Sequence, residues 1–444
     1  MQEALFGGMD AAAMNPSSTT DVVPASGPVR MRLADRSQVG VHYCCIDELV
    51  PLDHRVRMIW DAVGQMDLSK FEASIQSRQF TCGRSANDVR VMVGLWLWAA
   101  VNNVAGGREL ERLCHDEITF RWMCGGLSMN YHTLNDFRVG HRDALDELFT
   151  WTLGRLMHAR LVSVRRISQD GLRVRASAGG KSFKKRSTLE ECLTQAQAHL
   201  EDLRKLEEEA DATQVDQRRE QCRRAAAQDR VDRVRQALSE LTAVERSRAQ
   251  LKNKQKREKE AQASMTDPEA RMMKMPNGGF NPAYNVQLAS DPESRAIVGV
   301  SVSNSGSDAA QSQPMREQVQ KRTNQKVCEH LMDGGYVSHE GIDRATDDAV
   351  TIYAPVRAVK TTQDIYARQP QDSDAVAAWR SRMNSPEGQI IYHQRASTSE
   401  TVNADLRTYR GLDRFHVRGI VKATCVALWS ALAYNLMHFA AALR

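Results

Sequence analysis

Apolar residues change their spacing along this chain, and each change marks a new kind of element. From about Ile46 to about residue 160 they recur every three or four positions, beginning with DELVPLDHRVRMIWDAV, the period of helices packed on one another. The run VRVMVGLWLWAAVNNV after Asn87-Asp88 is apolar nearly all round, which predicts the central helix of a small bundle. GGRELERLCHDEITFRWMCGG and SMNYHTLNDFRVGHRDALDELF follow as helical segments separated at Gly125-Gly126, with Ser128 or Asn130 placed to cap the second. In SVRRISQDGLRVRAS the pattern turns to that of a strand, and Asp170-Gly171 stands at the end of its short apolar part.

From Thr188 to Ala263 there is neither Gly nor Pro, and charge is dense. Leu189, Leu193, Ala196, Leu200 and Leu203 step by three and four, as do Val231, Val234, Leu238 and Leu241, so each stretch is a helix with a narrow apolar seam. One unbroken helix of that length would carry the chain on the order of 110 Å away, so a helical hairpin turning near Asp211 to Gln214 is expected. Its role is either a structural or oligomerising arm or a hold on a long partner. Beyond it Tyr284, Val286 and Leu288 alternate with polar residues, Asp291-Pro292 marks a turn, and Ala296 to Val302 returns as a strand. A helix from about Ala309 to Thr323 leads to VCEHLMDGGY, a buried strand running into Asp333, and a further helix and the strand VTIYAPV follow. The order predicts an α+β chain of several domains, a mixed β-sheet with helices packed on it and a long helical, coiled-coil-like insertion after the first strand. The divisions expected are a disordered segment over 1–40, a helical domain over 41–160, and a sheet domain over 161–444 interrupted at 187–263. Met31 is a candidate start for the folded part.

Composition narrows the reading. With 444 residues, 42% of them hydrophobic, the chain can bury a sizeable core. Its net charge of +5 is mild, but Lys and Arg cluster, which favours an anionic partner. Nine cysteines with no C-x-x-C pair and no zinc spacing predict free thiols in a reducing, cytoplasmic setting, and no signal-peptide pattern opens the chain. Ala423 to Leu443 carries no charge and could span a bilayer by length, yet Ser430, Asn435 and His438 interrupt it, so a buried core helix and no membrane are expected.

Candidate chemistry lies in the carboxylates at Asp170 and Asp333 and in Glu400 of the helix YHQRASTSETVNADLR. A divalent metal can be held by carboxylates far apart in sequence if strands and a helix converge, and hard oxygen ligands suit Mg²⁺. Asp405, Asp308 and Asp343 compete for the third place; Asp405, five residues from Glu400, should face away. Arg395 lies upstream of Glu400, and Asn403 and Arg407 share its helix face. Arg173, Arg175, Lys181, Lys184, Lys185 and Arg186 form a cationic lane after Asp170 that would suit backbone phosphates. His132, Thr133, Asn135 and Arg138 open a helix from which they either reach base edges or form a solvated face. Trp379 is either core or a platform for an unpaired base.

Four segments, QDGLRVRAS, DPEARMMKMPNGGFNPAYNVQLASD, the MDGGY end, and YHQRASTSETVNADLR with GLDRFHVRGIVKATCVALWSALAYNL after it, resemble the DDE transposases of bacterial insertion sequences. The resemblance spans roughly Ile46 to Arg444. It implies an RNase H-like, retroviral-integrase-type sheet with Asp170 on the first strand, Asp333 after the fourth and Glu400 on a following helix as catalytic and metal-binding residues. It further implies two Mg²⁺ (or Mn²⁺) ions, double-stranded DNA as partner at terminal inverted repeats and at target sites, and a homodimer or larger synaptic complex at the nucleoid. The related Tyr-Arg-Glu-Lys signature is approximate: Tyr392, Arg395 and Glu400 occur with one extra residue before the Glu, and Arg407 stands where Lys is commoner. A metal-dependent nuclease without joining activity and a non-catalytic DNA-binding repressor are the alternatives.

Overall fold

The computed structural model describes residue 37 and residues 43–77, 85–209, 214–250, 254–357 and 364–440. The chain divides into two units, 1–44 and 45–444. Of the first only Ser37, Tyr43 and Cys44 are described, so the disorder expected over 1–40 lies otherwise outside the described residues.

Among the described residues the second unit opens with a 3-10 turn, Ile46–Leu49, followed by the α-helices α1 (Arg55–Gly64), α2 (Ser69–Ala73), α3 (Val89–Val101), α4 (Gly107–Asp116), α5 (Ile118–Cys124), α6 (Tyr131–Gly140) and α7 (Arg142–His158). Ten of the thirteen residues of α3 are buried, which makes it the bundle centre that its all-round apolar character predicts. Asp88 caps it by accepting from the Arg90 N–H, and Asn130 caps α6 by accepting from the His132 N–H. Between α5 and α6, Gly125 and Gly126 take positive φ (57° and 85°), the left-handed turn that breaks the helix there.

Next come β1 (Arg166–Arg175), β2 (Phe183–Lys184), and the insertion helices α8 (Arg186–Glu209), α9 (Gln214–Ala249) and α10 (Lys254–Glu258). Leu189 packs with Val234 and Leu241, whereas Ala196 and Leu200 pack with Ala227 and Val231, so α8 and α9 run antiparallel along the predicted seam. Of the turn expected near Asp211 to Gln214, residues 211–213 lie outside the described residues and Gln214 opens α9. Strands β3 (Ala263–Ser264), β4 (Arg271–Lys274), β5 (Phe280–Ser290) and β6 (Ile297–Ser303) follow. After them come α11 (Ser312–Thr323), β7 (Glu329–Met332), α12 (His339–Asp347), β8 (Thr351–Tyr353), α13 (Asp374–Asn384) and α14 (Pro386–Arg395). A π-helical turn, Ala396–Glu400, joins α14 to α15 (Thr401–Tyr409), and α16 (Ile420–His438) closes the described chain.

The main sheet is mixed. β1 pairs antiparallel with β5 and parallel with β7; β5 also pairs with β4 and β6, and β7 pairs in parallel with β8. One expectation is corrected here. Asp170 sits in the middle of β1, not at its end, because β5 continues the pairing from Ser168 to Arg175. The polar residues Asn285 and Gln287 that alternate along β5 are fully buried.

Helix α16 is the one described helix long and apolar enough to cross a membrane, and most of it is buried inside the protein. It packs against α3, α6 and α7 on one side and β6 on the other. The buried Asn435 stitches it to the sheet, accepting from the Ile297 N–H at 2.9 Å and donating to the Ile297 carbonyl at 2.8 Å. Asn435→Leu leaves both backbone groups without a partner, so urea unfolding should show a loss of about 1–3 kcal/mol for each orphaned group.

Candidate active site

The site starts from register. β7 runs parallel to β1 with Gln169 opposite Met332, so one step on, Asp170 and Asp333 lie side by side where β7 ends. Ser168 and Asp170 project from one face of β1, and on that face the Ser168 hydroxyl meets that of Ser399 in the π turn at 2.7 Å. Both oxygens of Asp170 are engaged. Oδ1 accepts from Arg395 Nη2 at 3.0 Å and from the Gly171 N–H at 2.9 Å, and Oδ2 accepts from Asn403 Nδ2 at 2.9 Å.

The Asp170–Arg395 pair is 23% and 14% exposed at its two side chains, shielded enough to avoid the full screening of a surface ion pair. Burial raises the Asp170 pKa above the ordinary carboxylate value, the Arg395 cation and the Gly171 N–H pull the other way, and the charges of Asp333 and Asp308 add to the rise. Asp333 is exposed, with Oδ1 accepting from the Gly334 N–H at 2.7 Å. Tyr392 stands half-buried beside this pair; burial raises its phenol's pKa and the Arg395 cation opposes the rise.

Glu400 ends the π turn on the helical side of the sheet from which Asp170 projects, one position from Ser399. Its carboxylate is exposed and has no hydrogen-bond or ion-pair partner among the described residues. Among the described residues no three His, Cys, Asp or Glu side chains close into a metal cage. An oxygen-only pair is nevertheless the donor set that suits Mg²⁺, which commonly takes one or two carboxylates and completes its shell with water and substrate phosphate.

Other candidates fall into place unevenly. Arg407 is half-buried, and Asp405 turns away to pair with Arg410 at 3.0 Å, as its offset predicts. Asp343 accepts from Ser373, the residue that caps α13, and not from the acidic pair's surroundings. In the cationic lane, Arg175 and Lys181 are exposed and Lys184 is half-buried, but Lys185 is paired with Glu260 and Arg186 with Glu245. Arg173 points the other way and grips Asp308. On α6, His132, Thr133 and Asn135 are exposed, and Asn135 Oδ1 accepts from the Gly107 N–H at 3.1 Å. Arg138, expected beside them, is buried: its guanidinium lies over the Trp96 ring and donates to the Ala105 carbonyl at 2.6 Å, because its place on the helix faces the bundle. Trp379 is a core residue whose Nε1 donates to the Ala354 carbonyl at 3.1 Å.

Asp308, a competitor for the third place, lies in the loop between β6 and α11 and is held by Arg173. Burial works to raise its pKa, but Arg173 and the amides of Asn285 and Gln287 hold its carboxyl below the ordinary range. The two amides that meet it, Asn285 and Gln287, are buried on β5.

Residues 211–436 match the family described as Transposase DDE domain, and residues 44–140 match the one described as Transposase domain (DUF772). The longer match takes in Asp308, Asp333 and Glu400 and begins after Asp170. Comparisons with curated proteins and with solved structures found no match.

Removing the cation opposite Asp170 should be visible directly. In Arg395→Met the ¹³C-detected titration midpoint of the Asp170 carboxyl is expected to move further up. A raised carboxyl contributes stability that is present below the unfolded pKa and is lost as pH rises through the folded one, so that window should extend upward with it. A midpoint that stays put or falls contradicts the pairing.

Proposed function

Since this chain belongs to the DDE transposase family, we propose that it cleaves DNA at the ends of an insertion sequence and joins the freed 3′-hydroxyl to target DNA. The observation that carries the reading is the adjacency of Asp170 and Asp333 on parallel strands, with Arg395 and Asn403 closing on Asp170 from the helix above. The run β6-β5-β1-β7-β8, with β5 antiparallel and β7 parallel to β1, supports an RNase H-like catalytic fold.

Asp170 and Asp333 would hold Mg²⁺ or Mn²⁺, with Glu400 completing a second site. When bound, such ions supply an activated nucleophile and charge stabilisation at the leaving oxygen of an in-line displacement. The chain's own side chains do the rest. In the first step water attacks phosphorus and the P–O3′ bond breaks, leaving a 3′-hydroxyl on the element. In the second that hydroxyl attacks a target phosphodiester, so one P–O3′ bond forms as another breaks and no external energy source is needed. Arg395, beside Asp170, is placed to take an approaching phosphate oxygen, and Asn403 to orient the carboxylate. Arg175 and Lys181 offer backbone contacts. His132, Thr133 and Asn135 on α6 are the candidates for reading the terminal repeats. Both ends must be held together, so a dimer or larger synaptic assembly on DNA in the cytoplasm is part of the proposal.

Purified protein incubated with Mg²⁺ and a fragment carrying the element's ends should cut at those ends. Asp170→Asn, Asp333→Asn and Glu400→Gln should each reduce cutting by at least about 10²-fold while gel shifts show DNA still bound. A pre-cut end should give joined product; cleavage without joining would instead indicate a nuclease, and binding without cleavage a repressor.

A further inference from the structure

Opposite the face that carries Asp170, the sheet holds a second set of polar groups that the proposed reaction does not use. Gln169, Gly171 and Arg173 share that face of β1, and on β5 Asn285 and Gln287 stand across from Arg173 and Gly171. Three of these, Gln169, Asn285 and Gln287, are fully buried. They surround the carboxylate of Asp308. Its Oδ1 accepts from Asn285 Nδ2 and Gln287 Nε2, both at 2.8 Å, and from Arg173 Nη1 at 3.2 Å, while Oδ2 accepts from Arg173 Nη2 at 3.0 Å. A guanidinium fork and two amides thus hold a half-buried carboxylate, 22% exposed, with every side-chain partner supplied from the sheet.

The network reaches both segments that bear the acidic pair. A Cβ on Gly171 would lie 2.7 Å from Asp308 Oδ1 and 2.8 Å from Asn285 Oδ1 and Gln287 Nε2, so the strand can pass this carboxylate only where it has no side chain. On the other side Gln287 Oε1 accepts from the Tyr336 hydroxyl at 2.6 Å and from Gln169 Nε2 at 2.8 Å. Tyr336 closes the turn that starts at Asp333, its N–H donating to the Asp333 carbonyl at 3.0 Å. Asp308 Oδ2 and Asp333 Oδ2 lie 3.9 and 4.0 Å from where a Cβ on Gly335 would stand.

We propose that Asp308 is a positioning residue for the acidic pair: through Arg173, Asn285 and Gln287 it locks the Asp170-Gly171 step of β1 and the Asp333–Tyr336 turn into one frame, fixing the spacing at which the two carboxylates meet a divalent cation. This rests on the metal-binding role proposed for Asp170 and Asp333. A buried polar network that only stabilised the sheet would change folding and leave cation affinity alone. One that sets the spacing changes affinity, as groups behind metal ligands commonly do by about 10–100-fold.

The test is Mn²⁺ binding to the full chain, followed by the paramagnetic resonance signal of the free ion, in wild type, Asp308→Asn, Tyr336→Phe and Asp333→Asn. Asp308→Asn is expected to weaken binding by about 10-fold or more. Tyr336→Phe leaves every charge in place and removes only the link to Gln287, so weakening there reports geometry; it also carries the test if Asp308→Asn fails to fold. Binding lost in Asp333→Asn but unchanged in both network variants overturns the positioning role alone. Wild-type protein that binds no Mn²⁺, or Asp333→Asn protein that binds it as wild type does, overturns the metal reading and the inference with it.

Discussion

The rest of the structure depends on how β1 is held between two neighbours of opposite sense. The antiparallel pairing to β5 puts Gly171 across from Gln287, and the parallel pairing to β7 puts Gln169 across from Met332. A slip of one residue in either ladder would turn every side chain to the wrong face. Asp170 would then point at the amides of β5, and Arg173 would lose Asp308. Residue-by-residue pairing is therefore a functional constraint here as well as a structural one.

The two faces of β1 solve different problems. On one, a partly buried carboxylate is kept in company by a guanidinium and an amide from a single helical segment, which limits how far burial can drive it toward the protonated form. On the other, buried amides and a guanidinium close on a half-buried carboxylate, while Gln169 Oε1 and Asn285 Oδ1 are left without a hydrogen-bond partner among the described residues. Such networks are costly when incomplete and rigid when complete. Asp308 Oδ1 has three close partners. The apolar load is carried elsewhere, by α3 and α16, whose buried lengths join the helical region to β6.

Much of the architecture could be read from spacing alone. The seams at Leu189 to Leu203 and Val231 to Leu241 marked an antiparallel hairpin because a three-and-four step leaves only one stripe to bury. The apolar run before Asp333 marked a central strand for a similar reason. Three features were hidden by ambiguities that a linear pattern cannot resolve. Alternation along β5 looks the same whether its polar side faces water or a closed network. An Asp-Gly pair looks like a turn, and only the neighbour that fills the space above Gly171 shows why a glycine belongs inside a strand. Arg138 lies on the helix with His132 and Thr133, but which way a helix rolls is set by what it packs on, here Trp96 and α16. Of the acidic residues named from sequence, Asp170 and Asp333 stand on neighbouring strands, and Glu400 follows Ser399, which meets Ser168 on the Asp170 face.

The π turn at Ala396–Glu400 carries a consequence for how such chains are recognised. A wider coil takes up one more residue than an ordinary helical turn before the chain resumes its course, and this coil falls between Arg395 and Glu400, where the spacing from Tyr392 runs one residue long. Arg395 and Asn403, on either side of it, still reach the same carboxylate. A search that counts fixed steps between signature letters would discard this chain at that point, whereas a comparison of which groups converge in space would keep it. Length variation inside a helix can thus be absorbed by a local change of winding, and relatives with one residue more or fewer there need not differ in what they bring to the pocket.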